Sequence, residues 1–488
     1  MNYSRSIFVV SLIEEIIGKI GEEKNRLIIK NWFSEYLKER KGKVDRQKES
    51  DTTWKTTEAE VDELNELTNI DELLSIESSD KVIKRLVDAK ERIVNKIPKI
   101  KVAFFTQEFS LWPSFQSVWE EFEADESCNS DLVFLPYTHK STTPEFQMFN
   151  YDCYKDQNYP IIHSNDYSII KNCADIAIYM KPYGGIPAPY HIVEIQKHIK
   201  FTTFISYCLE IQGGCTELLY GMPFFYRVWK YIAYSNYNKN MMIENGYRNG
   251  ENVEIIGHPK FDSTHKIISE KAFVNKEWQK KINSRKVIMW NTHFSVLDNE
   301  GVGTFFQWKD TIFEYFRKNN DVVLLWRGHP FFWDSIVQYP NINQEILLNE
   351  IKEFEKLDNV IIDKTADYRY AFCLSDALIS DAATFLVEYN STGRPVMFTP
   401  KVGGESVCDD KYIENLYIGE TAKQIEDYIN MVIQGEDELK DKRRSSFVEE
   451  FGEPDGTVGL RIKQYLIKEV QEEQAKAAKK LLEEAFLG

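Results

Sequence analysis

Three short polar turns, each directly after an apolar run, carry the side chains of this chain best suited to chemistry on a phosphate. Asn291-Thr292-His293 follows VIMW, Arg327-Gly328-His329-Pro330 follows VVLLW, and Ser380-Asp381 follows ALI. A guanidinium grips phosphate oxygens in a fixed fork, and an imidazole adds a donor that can also pass a proton near neutral pH. The third turn opens a helix, which offers an anion the unpaired N–H groups of Ala382, Ala383 and Thr384 and the positive end of the helix dipole. Asp381, Thr384 and Glu388 project from one face of that helix, so one face could touch both a phosphate and a ribose. Each residue also has a plainer reading. Ser380 or Asp381 could be an ordinary N-cap, Glu388 a solvated helix charge, Arg327 a salt bridge holding its turn, and either His a structural hydrogen-bonder. Repetition of polar turns at corresponding strand ends favours a site.

A leaving diphosphate gains negative charge as its bond breaks, and Arg327, His329, His293 and the helix start at 382–384 are a set of donors that would meet it. No DxD metal motif accompanies them, and Asp409-Asp410 is an isolated pair. The expectation is catalysis with no required metal or cofactor. In the first half, Thr106-Gln107-Glu108, Tyr183-Gly184-Gly185 and Ser206-Tyr207-Cys208 also follow apolar runs, with Gln212-Gly213-Gly214 shortly after. The paired glycines lack the spacing of a dinucleotide fingerprint.

Elements that would position these turns alternate along the chain. Strands are expected at Val102–Phe105, Leu132–Leu135, Ile176–Met180, Phe201–Ser206, Tyr231–Tyr234 and Val253–Ile256. After Gly257-His258-Pro259 and a charged helical stretch the pattern resumes at Val287–Trp290, Val322–Trp326, Val360–Ile362, Ala377–Ile379 and Val396–Phe398. Such alternation predicts an α/β protein with two Rossmann-like domains facing a cleft, the crossover lying near 257–285. The expected divisions are an extra N-terminal helical segment at 1–98, domains at 99–270 and 271–465, and a helical tail at 466–488. Within the first segment, Phe8, Leu12, Ile16 and Ile20 have helical spacing, Lys41 to Glu58 reads as a polar linker, and a second helix starts at Ser79 or Asp80 and stops at Pro98. These helices are open to a dimerisation or docking role, or to packing against the first strand.

Composition bounds the partners. A net charge of −17 argues against a broad nucleic-acid surface. Seven scattered cysteines without a CxxC pair suggest reduced thiols in a cytoplasmic enzyme, and no long apolar run predicts a spanning helix. A basic cluster at Lys440, Lys442, Arg443 and Arg444 is either a contact for anionic headgroups or a solvated face.

IIGHPKFD at 255–262, VVLLWRGHPF at 322–331, SDALISDAATFLVEYNSTGRPVMF at 375–398 and PDGTVGLRI at 454–462 resemble the CDP-glycerol glycerophosphotransferases that build teichoic acids and related capsular polymers. The resemblance covers roughly 100–465. It implies a GT-B fold, acceptor contacts mainly on the first domain and donor contacts mainly on the second. By resemblance, Arg327 and His329 meet the donor diphosphate, Ser380, Asp381, Ala383 and Thr384 surround phosphate or glycerol, and Glu388 lies near the nucleotide. His293 stands where the family usually has a Pro-Thr pair. The family's proposed base, a His in a His-Gly pair, has no counterpart at Ser206-Tyr207-Cys208, which leaves Glu108, Glu210 and His293 as substitutes. The expected catalytic residues are therefore His329, His293, Asp381 and Glu108; the donor-binding ones are Arg327, Ser380, Ala383, Thr384 and Glu388.

The function so implied is transfer of glycerol phosphate, or another polyol phosphate, from a CDP-linked donor to a hydroxyl of a polymer or lipid-linked acceptor. The resemblance adds peripheral contact with the inner face of the plasma membrane as an expectation. Two other readings stand beside it: a glycosyltransferase using a nucleotide sugar on the same scaffold, and a non-catalytic polymer-binding or assembly protein.

Overall fold

The structure, a computed structural model, describes residues 2–49, 58–76, 79–138, 142–209, 219–270, 275–296, 301–339, 342–381, 383–402 and 410–487. Two parallel sheets carry the molecule. Strands β1 (Ile100–Thr106), β2 (Cys128–Phe134), β3 (Ile161–His163), β4 (Ile176–Tyr179), β5 (Phe201–Ile205), β6 (Lys230–Ala233) and β7 (Val253–Ile255) form the first, in the order β3-β2-β1-β4-β5-β6-β7. Strands β8 (Lys286–Thr292), β9 (Val322–Gly328), β10 (Val360–Ile362), β11 (Ala377–Ser380), β12 (Val396–Phe398) and β13 (Tyr417–Ile418) form the second, in the order β10-β9-β8-β11-β12-β13. Every expected strand is present. β3 and β13 were not expected from the sequence, because edge strands of three and two residues leave too short an apolar run to register.

Near-continuous apolar strands are what burial on both faces demands. In β1, Val102 and Phe104 enter one core while Ala103 and Phe105 enter the other. In β8, Ile288 and Trp290 face one side and Val287 and Met289 the opposite one. Strand order reverses at β1/β4 and at β8/β11, and ligands of open α/β sheets collect beyond the strand ends at such reversals.

Helices α1 (Tyr3–Lys19), α2 (Glu23–Glu49), α3 (Glu58–Leu74) and α4 (Ser79–Val94) precede the sheets. Their apolar faces meet one another and the far end of the last helix, Val458–Glu484: Leu12, Ile16, Phe33, Ile70, Leu86, Ala478 and Leu482 share one buried cluster. The bundle is tied to the first sheet through Asp175, whose carboxylate accepts the N–H groups of Ser4 at 2.8 Å and Lys101 at 3.0 Å. The linker expected at Lys41 to Glu58 is corrected in part. Lys41 to Glu49 continue α2, where Val44 finds a buried position, and 50–57 lie outside the described residues. Residues 466–484 continue the helix that starts at Val458.

Two helices cross between the lobes: Pro259–Glu270, which leads from the first sheet toward the second, and Val458–Glu484, which returns. Gly257 turns the chain before the first of them with φ +125°, a conformation that L side chains rarely adopt, and a Cβ there would meet Val458 at 3.1 Å. No helix among the described residues is long and apolar enough to cross a membrane.

Candidate active site at the strand ends of the second sheet

Strand register gathers the three polar turns. Asn291 of β8 pairs with Arg327 of β9 on one side and with Ser380 of β11 on the other. Its side chain joins all three, accepting from Ser380 Oγ at 2.9 Å and donating from Nδ2 to the Arg327 carbonyl at 3.0 Å. The His329 N–H donates to Thr292 O at 2.9 Å, and the rings of His293 and His329 lie 5.5 Å apart.

Both imidazoles are held in one tautomer. His329 Nδ1 accepts the Phe331 N–H at 3.2 Å, and His293 Nδ1 sits 2.7 Å from Ser295 Oγ while accepting the Ser295 N–H at 3.3 Å. We assign the ring proton to Nε2 in each, which makes each a neutral N–H donor. Burial pushes both down to about 4; for His329 the carboxylate of Glu108 opposes that push and Arg327 adds to it, and for His293 the neighbouring His329 adds to it. Glu108 belongs to the first lobe, so its influence on His329 acts across the cleft. Phe146 and Phe331 also meet across it, ring centroids 6.4 Å apart.

Several expected ligand-binding side chains are engaged within the protein. Asp381 is buried and its carboxylate is filled: Oδ1 accepts the His293 N–H at 2.8 Å, and Oδ2 accepts the Thr304 N–H at 2.7 Å and the Thr304 hydroxyl at 3.2 Å. These bonds fix the loop after β8 on the residue expected to be catalytic. Its carboxyl is nevertheless pushed up to about 6, because burial outweighs those N–H bonds. Ser380 has no exposed surface and is bonded to Asn291. Arg327 pairs with buried Asp363 at 2.6 Å and donates to Thr365 Oγ1 and O at 3.2 and 2.9 Å, tying the end of β9 to the turn after β10. Glu388 is wholly buried, held by Lys260 at 3.1 Å and by the Tyr368 hydroxyl. The residue expected near the nucleotide is thus the partner of a lysine in the crossing helix. Thr384 stands half-buried in the first turn of the helix Ala383–Asn390; Ala383 begins that helix, and Ala382 lies outside the described residues.

The first lobe contributes a second group at the ends of β1, β2 and β4. Glu108 Oε1 accepts from Lys181 Nζ at 2.9 Å and from the Tyr137 hydroxyl, while Oε2 makes no hydrogen bond to another described residue. The Lys181 ammonium lies over the rings of Tyr137 and Tyr207, 4.8 and 4.9 Å from their centroids. Sequence reading missed Lys181 and Tyr137, although Lys181 directly follows the apolar run IAIYM and the strand-end rule that found His293 applies to it equally. Glu210 lies outside the described residues. His258 comes near the loop that lacks the family's His, its Nε2 3.0 Å from Ser206 O, but it is buried, accepts the Lys260 N–H at 3.2 Å and is pushed down to about 3 by burial. It is structural. The basic cluster is largely spoken for too: Arg443 is buried against Asp437 at 2.5 Å and Arg444 pairs with Glu453.

Two doubly wound lobes facing one another, with polar groups collected at the strand ends of the second, make a fold of GT-B type. The chain belongs to the CDP-glycerol:poly(glycerophosphate) glycerophosphotransferase family, whose model matches residues 222–468. In fold it is similar to UDP-GlcNAc 2-epimerase from Neisseria meningitidis bound to UDP-GlcNAc, with a TM-score of 0.51, 13% identity and coverage of 76% of this chain and 100% of that one. A putative UDP-N-acetylglucosamine 2-epimerase from Listeria monocytogenes gives 0.52 at 12% identity, covering 77% and 98%. A CDPG-soaked variant of the wall teichoic acid polymerase TagF gives 0.50 at 16% identity, covering 80% and 96%. No curated protein matches the chain.

Proposed function

We propose that the protein transfers glycerol phosphate from CDP-glycerol to a hydroxyl of a glycerol phosphate polymer of teichoic acid type. Family membership supports the donor, and the structure supports a division of labour between lobes. The cytidine diphosphate lies at the ends of β8, β9 and β11, where the helix start at Ala383 and Thr384 and the Nε2–H groups of His293 and His329 donate to its phosphates. Arg327 supports this cradle from behind, through Asp363 and Thr365.

The observation that carries the reading is Glu108. It is a cleft carboxylate whose Oε2 has no described partner, fixed through Oε1 by Lys181 and Tyr137, and its charge acts on His329 of the second lobe. Glu108 takes the proton of the acceptor hydroxyl, whose oxygen attacks the glycerol-bearing phosphorus. The bond to the bridging oxygen breaks and CMP departs with the electron pair, its charge met by the histidine N–H groups and the helix start. A carboxylate thus does what a loop histidine does elsewhere in the family. Fold alone does not select a nucleotide, so the glycosyltransferase reading rests on no residue of this site.

The test is Glu108→Gln, assayed for CMP release from CDP-glycerol with a glycerol phosphate oligomer as acceptor. Loss of a general base predicts a fall in kcat of about 10²–10⁴-fold. The rise in melting temperature produced by CDP-glycerol should be retained. A variant within a few-fold of wild type removes Glu108 from the mechanism.

A further inference from the structure

The segment between β10 and the helix Arg369–Leu374 touches both lobes. At its start it holds Arg327: Asp363 accepts from Nη1 at 2.6 Å, the Thr365 carbonyl accepts from Nη2 at 2.9 Å, and the Thr365 N–H closes the turn on Asp363 Oδ1 at 2.8 Å. One residue further on, Ala366 packs against the core of the first lobe. Arg369 completes the crossing. It is buried, and Asp367 takes its Nε and Nη2 in a fork at 2.9 and 2.6 Å, which leaves Nη1 to reach Gln116 Oε1 on the first lobe. The Gln116 amide is oriented from its other end, where Nε2 donates to Glu120 Oε1 at 2.7 Å, and Glu120 is itself paired with Lys266 of the crossing helix at 2.9 Å.

Gln116 opens the helix Gln116–Glu123, and the stretch before it carries Glu108. From Glu108 the chain runs through the 3-10 helix Phe109–Ser114, which leaves it little freedom. The Leu111 N–H donates to Glu108 O at 3.1 Å, the Phe115 N–H to Trp112 O at 2.8 Å and Ser114 Oγ to Tyr207 O at 2.9 Å, and Trp112 is wholly buried. One end of the Arg369–Gln116 tie is therefore joined to the cleft carboxylate, and the other to the arginine at the end of β9, two residues before His329. Phe146 and Phe331 also meet across the cleft, but two rings can slide past one another, whereas a guanidinium arm fixes direction as well as distance.

Resting on the proposed reaction, we infer that Arg369 and Gln116 are positioning residues, a tie that sets the separation of Glu108 from the donors on His293 and His329 while touching neither substrate. A base and a phosphorus held on different lobes react only when the lobes stand at one spacing, and an error of about 1 Å in such a placement costs about 10²-fold in rate. The proposed donor cradle lies wholly in the second lobe, so the tie acts on kcat and leaves donor affinity alone.

Gln116→Leu removes the acceptor from a half-buried side chain at the start of its helix, and Gln116→Glu keeps one for the guanidinium. Each is compared with wild type for CDP-glycerol affinity by calorimetry without acceptor, and for kcat of CMP release with a glycerol phosphate oligomer. Pulsed electron spin resonance reads the lobe spacing, between nitroxides carried on p-acetylphenylalanine at exposed Tyr247 of the first lobe and exposed Ile346 of the second. The inference expects Gln116→Leu to lower kcat about 10²-fold, to leave donor affinity unchanged and to widen the distance distribution, and Gln116→Glu to recover most of both losses. A distribution identical to wild type overturns it, whatever happens to kcat. So does a kcat within a few-fold of wild type, or a loss of donor affinity as large as the loss of kcat. Should the wild type release no CMP, the proposed reaction fails and the label distances alone decide: widening in Gln116→Leu keeps the lobe spacing assigned to the tie, and identical distributions overturn that too.

Discussion

His329, His293 and Asp381 sit within one cluster and respond to acid in opposite senses. A free imidazole takes its proton near 6.5, whereas these two are pushed by burial to about 4. Between those values the unfolded chain binds more protons, so the stability that depends on neutral histidines is complete above 6.5 and is lost as pH falls through 4. Asp381 runs the other way. Its carboxyl is raised from 3.8 to about 6, so the folded protein binds the extra proton in that window, and the contribution is complete below 3.8 and lost as pH rises through 6. Replacing His329 by Gln removes one term of the first kind. We expect the drop in unfolding free energy between pH 6.5 and 4, followed by urea titration, to shrink by about 1–3 kcal/mol. Superimposable pH profiles for variant and wild type would refute this. The sequence showed which residues cluster here, since strand-end position follows from local pattern. It did not show which were committed, because Arg327–Asp363 and Asp381–Thr304 are pairings between segments far apart in the chain.

At the scale of elements, the crossing helices owe their join to one carboxylate and one glycine. Asp262, in the helix Pro259–Glu270, accepts the N–H groups of Val458 at 3.1 Å and Gly459 at 2.7 Å, and so caps the last helix from another segment. Gly459 lies so close to the helix Gln116–Glu123 that a Cβ would stand 2.6 Å from the backbone carbonyl of Ser117. Backbone cannot rotate aside as a side chain can, so Gly459→Ala must separate the two helices. A cost of about 1–3 kcal/mol is expected from urea denaturation. Unchanged stability would mean that the helices part freely. The segments PKFD and PDGTVG stood out in the sequence separately; the pairing of Asp262 with Gly459 spans 197 residues and no periodicity reports it.

For the whole molecule, the decisive contact is Lys260 with Glu388, a buried ion pair between the crossing helix and the donor lobe, 128 residues apart in sequence. Such a pair adds little over apolar packing, but breaking it strands a charge. Lys260→Met should therefore cost about 3–5 kcal/mol, while the double change Lys260→Met with Glu388→Gln should recover much of that loss. Equal losses in the single and double variants, measured by chemical denaturation, would exclude the pair as the cause. The same contact ties the crossing helix Pro259–Glu270 to the helix Ala383–Asn390 of the second lobe.

The sequence by itself determined the two α/β lobes, their strands and the strand ends where donors collect. Apolar runs, helix starts and polar turns are local, and their physics acts over a few residues. β3 and β13 escaped because they are too short to carry such a pattern. Only the tertiary structure decided that Asp381, Arg327 and Glu388 hold the site together rather than face solvent, that Lys181 and Tyr137 fix Glu108 in the cleft, and that α1 to α4 close on the last helix. Those outcomes depend on which charge meets which across more than a hundred residues in some cases and across a sheet in others, and burial sets the partner there only once the chain has folded.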